Sequence, residues 1–310
     1  MTTFNHIYDI GQKNVVSSIE DNIKNFLDWG FLNIGGFVNT TIPTSGTSGP
    51  CFLKPMSDPN FPQNTVWETV RKDWVYESEV NYNGLSPINI SGVYVNNTFL
   101  PAPSGSGSYS YTMNYPQGRI HFKNPISASS KAALNYSYRY VQVYKASESL
   151  WWKELQSNTY NVARFGSDPD YNITANHRVQ MPAIVIELNS RTSMTPYELG
   201  TSENILMQDI LLHIFTETAT HRNSIIDALL LQKDKGFYLN NISLIIKDNR
   251  NSLDYKGQPN PNRFNYDQLQ TNQAYFLKKC YIHNAVLGEL NMFSNSLYNG
   301  IVRWTLEILP

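Results

Sequence analysis

Charge is scarce in this sequence. Asp, Glu, Lys and Arg make up 16% of its 310 residues, against roughly 25% in an average soluble domain. With 24 basic and 25 acidic residues the formal net charge is -1, and no local run of Lys and Arg offsets that balance. Neither the whole chain nor any segment therefore carries the electrostatic footprint of a nucleic-acid binder. Cysteine is scarcer still. Cys51 and Cys280 are the only two, they stand far apart, and neither belongs to a metal or redox motif. A disulfide scaffold is excluded, and free thiols in a reducing site of synthesis are expected. No run approaches the ~20 apolar residues of a membrane span. Met1–Phe4 lacks the basic and apolar regions of a secretory signal. The Asn-x-Ser/Thr triplets at Asn39, Asn89, Asn96, Asn135, Asn172 and Asn241 are then chance products of an Asn-rich chain.

What is present is apolar and aromatic. The apolar share is 41% and the aromatic share 13%, ample for a packed core. The surface polarity comes from Asn, Ser, Thr and Tyr, neutral groups that weaken the repulsion keeping copies apart. Such a surface suits a protein packed against neighbours.

Periodicity divides the chain. Val15, Val16, Ile19, Ile23, Phe26, Leu27 and Phe31 recur at helical steps and predict an amphipathic helix ended by Gly35-Gly36. Thr40 to Pro62, rich in Thr, Ser, Gly and Pro, is expected as a long loop, and Val66 to Val80 as a bent strand. Residues 87 to 145 show short period-two stretches: Tyr109 to Tyr115, a turn at Pro116-Gln117-Gly118, Arg119 to Phe122, then Leu134 to Val143 as one strand. Ser149 to Tyr160 reads as a short helix or bend, and 161–180 as irregular. After Pro182 the pattern changes. A buried strand Ala183–Leu188, a loop Asn189–Ser202 and a central strand Ile205–Glu217 lead to a helix from an N-cap at Thr220 to about Lys235. Strands are expected at Phe237–Ile246, Tyr275–Leu287 and Tyr298–Leu309, with a Pro/Asn-rich loop Asn249–Asn265 after the first. The predicted fold is α+β: a mixed sheet packed by an N-terminal helix and a second helix (residues 1–80 and 148–310). Into it an antiparallel β-sandwich or barrel module is inserted (81–147).

Candidate chemistry is thin. His213, Glu217 and His221 have H-x3-E-x3-H spacing, which gathers a metal only on one continuous helix; a strand is expected at His213. Asp168, Asp170, Asp209, Asp227, Glu198 and Glu203 supply carboxylates, yet nothing local separates their pKa values as acid-base catalysis requires. No nucleophile-elbow, phosphate-loop or dinucleotide signature occurs where its chemistry would need it. Trp67, Trp74, Trp151 and Trp152, with Tyr109, Tyr111, Tyr136, Tyr138 and Tyr140, could form a sugar platform; large aromatics mainly supply buried area.

The strand Ile184–Leu188 leading to Pro196-Tyr197-Glu198-Leu199-Gly200, the strand Ile210–Thr216 and the helix His221–Gln232 together resemble the tail-terminator and tail-completion proteins of tailed bacteriophages. The hairpin Asn114–Phe122 is similar to segments common in phage virion proteins. The resemblance covers residues 1–35 and 183–310 as an arrangement. It implies a virion protein made in the host bacterial cytoplasm, without catalytic residue, cofactor or metal. It further implies a hexameric ring at the head-proximal end of the tail, contacting the tail tube, a sheath where one exists, and neck or head-completion proteins. The module at 81–147 has no counterpart in the smallest members, so a neighbouring neck or collar protein stays open. A receptor- or carbohydrate-binding module and, last, a cell-wall hydrolase are the rival classes. Arg191, Tyr197 and Glu198 are the candidate inter-subunit contacts, Arg and Tyr being enriched at interface centres.

Because no ligand cluster is legible, chelation is expected to leave the unfolding midpoint unchanged and the purified protein to carry no stoichiometric zinc. Metal analysis and a melt with and without chelator check this.

Overall fold

The computed structural model describes residues 15–45, 48–102, 109–149, 151–152, 179–198, 204–294 and 296–310. The fold is mixed α+β, mostly strand, with few helices and curled, largely antiparallel sheets. Helix α1 (Val15–Asn33) forms where periodicity placed it. It closes as Gly36 N donates to Phe31 O at 2.8 Å and Gly35 takes a φ of +84°. A Cβ at Gly35 would also stand 2.6 Å from the Tyr82 ring, so only glycine fits that turn.

A β unit follows α1. Its strands are β1 (Phe37–Thr40), β2 (Phe52–Met56), β3 (Val66–Glu68), β4 (Gly92–Val95), β5 (Thr98–Pro101), β6 (Tyr111–Asn114), β7 (Arg119–Phe122), β8 (Ala132–Ala133) and β9 (Tyr136–Arg139). Seven of them make one antiparallel sheet in the order β5-β4-β8-β2-β3-β7-β6, while β1 pairs with β9 alone. The sheet curls until its outer strands meet, with Tyr111 Oη donating to Leu100 O at 3.0 Å. Trp67, Trp74, Ile120 and Tyr136 fill the enclosed core.

The expected boundaries shift here. β2 lies inside the segment expected as loop, and β2 and β3 both belong to the curled sheet, so that unit begins well before residue 81. Pro55 obscured β2. Proline removes a ladder donor, and this one sits beyond the Phe52–Leu53 stretch that pairs with β8, where β2 has β3 as its only partner strand. The strand expected over Val66–Val80 shrinks to β3 plus an isolated bridge between Trp74 and Tyr138. At the other edge, the period-two run 134–143 is cut in two. β9 stays in the β unit, whereas β10 (Gln142–Lys145) runs parallel to the first strand of the second sheet.

That second sheet contains β10, β11 (Ala183–Pro196), β12 (Asn204–Thr216), β13 (Gly236–Asn240), β14 (Phe276–Ser294) and β15 (Leu297–Ile308), in the order β10-β11-β12-β15-β14-β13. It is mixed, as expected, through the one parallel pair β10–β11. Strand β12 is central and buried, with Ile210, Leu212 and Ile214 at 0% exposure. Helix α1 and helix α2 (Ala219–Leu230) share one core with these residues. Within it Phe26 stacks on Phe237 at 5.0 Å and meets the Trp304 edge at 6.1 Å, and Trp304 Nε1 donates to Leu229 O at 3.2 Å. On the opposite side Phe215, Ala183 and Val185 pack with Trp152.

Other expectations are corrected. The N-cap of α2 is Thr218, whose hydroxyl accepts from His221 N, and the helix stops at Leu230. Gly236, just past the expected end of that helix, opens β13. The strand expected over Phe237–Ile246 ends at Asn240, because Asn241 Oδ1 accepts from Leu244 N at 3.1 Å and caps a short helix α3 (Ile242–Lys247). A further short helix α4 (Tyr266–Thr271) precedes β14. Trp151 and Trp152 are helical, but the rest of the segment expected at 153–160, and the stretch 161–178, lie outside the described residues. Both cysteines are free and buried. Among the described residues no helix is long and apolar enough to cross a membrane.

Trp304 joins sheet, α1 and α2, so Trp304→Ala is expected to cost about 3–5 kcal/mol. Urea unfolding followed by circular dichroism should show the loss. Trp304→Phe should cost less, because it keeps the ring contacts and loses chiefly the bond to Leu229 O.

Candidate functional site

The segment expected as a loop at Asn189–Ser202 is in its first half a strand. β11 continues to Pro196 and pairs with β12 out to Asn204, after a register shift between Leu188 and Thr192. Gln208 bridges that irregularity, with Nε2 donating to Asn189 O at 2.7 Å and Oε1 accepting from Thr192 Oγ1. The outer half of β11 is therefore an exposed arm along the sheet edge, and its last two pairs with β12, Thr195 with Ile205 and Pro196 with Asn204, reach past Ile308 of β15. Every described residue from Ser190 to Glu198 is exposed.

The three candidate contact residues lie on this arm. Arg191 is on β11 with its side chain 79% exposed, and its Nε stands 4.0 Å from Asp209 Oδ2, a loose pair that leaves most of the guanidinium in water. Tyr197 is 51% exposed, and Glu198 is exposed beside it. Glu203 lies outside the described residues, as do Asp168 and Asp170.

Of the other two long segments, Asn249–Asn265 packs against both units, while most described residues of Thr40–Pro62 are exposed. Asn249–Asn265 is a clasp between the two units: Tyr115 N donates to Gly257 O at 2.9 Å, and Arg263 Nη2 donates to Tyr76 O at 3.0 Å. Asn260, only 3% exposed, ties the clasp together by donating to Asn249 O and Oδ1 at 3.0 and 2.9 Å. Part of Thr40–Pro62 is strand β2, and Pro50 O accepts from Tyr136 Oη at 2.9 Å. Beneath the clasp sits a buried ion cluster that no sequence motif announced. Arg139 is paired with Glu77, stands 3.7 Å from Asp73 and lies over the Tyr76 ring. The adjoining acids hold the Arg139 guanidinium firmly charged despite its burial, whereas burial raises the Asp73 carboxyl above its ordinary value.

The chemistry-bearing types are dispersed or occupied. His213 is on β12, Glu217 follows the strand, and His221 is in the first turn of α2. His213 Nε2 lies 2.7 Å from Glu187 Oε2 and its ring contacts Trp152. His221 Nδ1 is 3.0 Å from Tyr140 Oη. Among the described residues no group of three His, Cys, Asp or Glu side chains could hold a metal. Asp209 accepts from Thr305 Oγ1 at 2.7 Å. Burial pushes both thiols up, which works against thiolate formation. Trp67, Trp74, Trp152, Tyr111 and Tyr136 are core residues and offer no face to a ligand, whereas Trp151, Tyr138 and Tyr140 are half-buried and Tyr109 is exposed. A cleft of about 230 Å³ opens where the units meet, lined by Arg71, Tyr138, Tyr140, Glu217 and His221 among others, with Arg71 over the Tyr138 ring at 5.4 Å.

An exposed apolar group escaped the sequence reading. Val286, Leu287, Leu290 and Met292 on β14 are 38–58% exposed. The one available signal was the persistence of Leu and Met past Gly288, where the expected strand had already been ended. No known family model and no curated protein matches the chain.

Burial outweighs the Glu187 carboxylate at His213 and holds its imidazole below its ordinary range. A folded-state pKa below the unfolded value means that the neutral ring favours the fold. Its contribution is complete above about pH 6.5 and is lost as pH falls toward the folded-state pKa. His213→Gln is therefore expected to flatten the fall in melting temperature between about pH 7.5 and about pH 5.5. A fall as steep as in the parent would contradict it.

Proposed function

We propose that this chain is a structural virion protein of a tailed phage, a ring subunit at the head-proximal end of the tail that joins tail to neck. The observation carrying the proposal is the arm. Nine successive residues, Ser190 to Glu198, are exposed along the outer edge and end of β11, with Met194 65% and Tyr197 51% exposed. Apolar groups held out in water on a stiff element serve association better than catalysis. Low surface charge removes a barrier to that association, and the arrangement of β11, β12 and α2 supports the resemblance to tail terminators. On this reading the protein is not an enzyme. Its partners are further copies of itself, the tail-tube end, a sheath where one exists, and neck or head-completion proteins. A neighbouring neck or collar ring would use the same arm in the same way. The carbohydrate-binding alternative loses part of its support because Trp67, Trp74, Trp152, Tyr111 and Tyr136 are buried.

Arg191→Ala with Tyr197→Ala tests the proposal. Both side chains are exposed, so the melting temperature should stay within about 1–2 °C of the parent, while ring formation, followed by sedimentation and electron microscopy, is weakened. Unchanged assembly by this double variant would remove the arm from the interface.

A further inference from the structure

Among the described residues, the second sheet carries two open strand edges. β10 covers β11 only along Ala183–Ile186, so residues 188–196 pair with β12 on one side alone. β13 covers β14 only along Phe276–Tyr281, so residues 284–292 pair with β15 on one side alone. The open segments are of nearly equal length and lie at opposite corners of the sheet. That of β11 is at the end where Leu206 faces Ile308, and that of β14 is at the end where Thr216 faces Tyr298. Their exposure is unusual for strands within a long ladder. Residues 190–196 and 286–292 are exposed without interruption, on both pleat faces.

Exposed edges are ordinarily protected by lysines, prolines or coverage. Residues 284–292 contain no Lys, Arg or Pro and a single acid, Glu289; on β11 the only basic residue is Arg191, and Pro196 comes at its very end. Three register shifts bend β14 without covering it.

We infer that the partner of each open edge is the other open edge on a second copy of this chain, so that the sheet continues from subunit to subunit, β11 of one against β14 of the next. The inference rests on the self-assembly reading and assigns its contact. Three features on the page select a second copy over an unrelated peptide. Strand polarity fits: the sheet alternates from β11 through β12 and β15 to β14, so a copy placed alongside brings its β14 antiparallel to β11. Shape fits as well. The short strands β10 and β13 leave notches at opposite corners, and a copy displaced along the strand direction sets its open β14 above β10 and its β13 beyond the tip of β11, without overlap. Charge fits in that each edge holds one lone charge of opposite sign, Arg191 and Glu289, both exposed. The contact is heterologous, so repetition gives a ring or a filament. The displacement at each step makes the strands tilt relative to the assembly axis, the condition under which a sheet closes on itself.

Charge reversal tests the pairing in the full-length protein. Arg191→Glu alone sets two acids against each other at every contact, and Glu289→Arg alone sets two bases. Each variant by itself should assemble roughly tenfold more weakly than the parent. An equal mixture should assemble again, since alternating copies restore opposite charges at both contacts. Single cysteines, Ser193→Cys in one preparation and Leu287→Cys in another, should form a disulfide-linked dimer on mixing and neither one alone; the native Cys51 and Cys280 are buried. Sedimentation velocity and non-reducing gels read both results. Parent assembly with no loss in either variant and no mixed crosslink overturns the edge pairing while leaving ring formation standing. A parent that remains monomeric at every concentration and gives no crosslink overturns both.

Discussion

The ladder between β12 and β15 is the constraint on which the rest depends. It pairs Leu206–Thr216 with Tyr298–Ile308 without a register shift, and Ile210, Leu212, Val302, Trp304 and Leu306 in it are fully buried. Buried backbone polar groups need partners, and two long strands bonded in register supply them while setting an unbroken apolar row on the face that carries Ile210, Leu212, Val302 and Trp304. Helices α1 and α2 bind this row, meeting around Trp304. β11 and β14 are held by this central pair and extend outward from it.

The second unit is attached by a set of polar contacts beside a small apolar cluster in which Trp29 and Leu32 of α1 meet Phe37, Val75 and Val80. Chain crossings at Arg139 to Gln142, the ion cluster of Arg139 with Glu77 and Asp73, and the Asn249–Asn265 clasp all lie at the junction. Breaking one partner of such a buried pair strands a charge and is costly, whereas the intact pair adds little net stability. Its effect is geometric: Arg139 fixes where β9 ends and β10 begins, and so how the curled sheet sits against the core of α1. A cleft remains between the units.

The arm and the bare edge of β14 follow from the same mismatch of lengths. β11 and β14 span 14 and 19 residues, while their outer neighbours β10 and β13 span 4 and 5. A long strand beside a short one leaves backbone and side chains in water. On β14 this gathers Val286, Leu287, Leu290 and Met292 into one exposed apolar group, the kind of local patch that marks a contact.

The sequence by itself determined the elements whose side chains repeat in a clear period and are buried on the face that period defines: α1 at Val15–Asn33, the buried first part of β11, the strand β12, the hairpin β6–β7 and the α+β class. It also placed Arg191, Tyr197 and Glu198 in exposed positions, since polar, Pro-containing stretches rarely enter a core. Tertiary structure decided what local pattern cannot carry. Pro55 disguised β2, and its place became visible only once β3 was seen as its sole neighbour there. The run 134–143 has one period but serves two sheets, because Arg139 is drawn into an ion cluster between them. Asn260 made an ordered clasp of a segment whose composition reads as loop. The open edges of β11 and β14 were legible from neither strand alone, for an edge is defined by the length of the neighbour, and neighbours are chosen by long-range pairing rather than by residues adjacent in the chain.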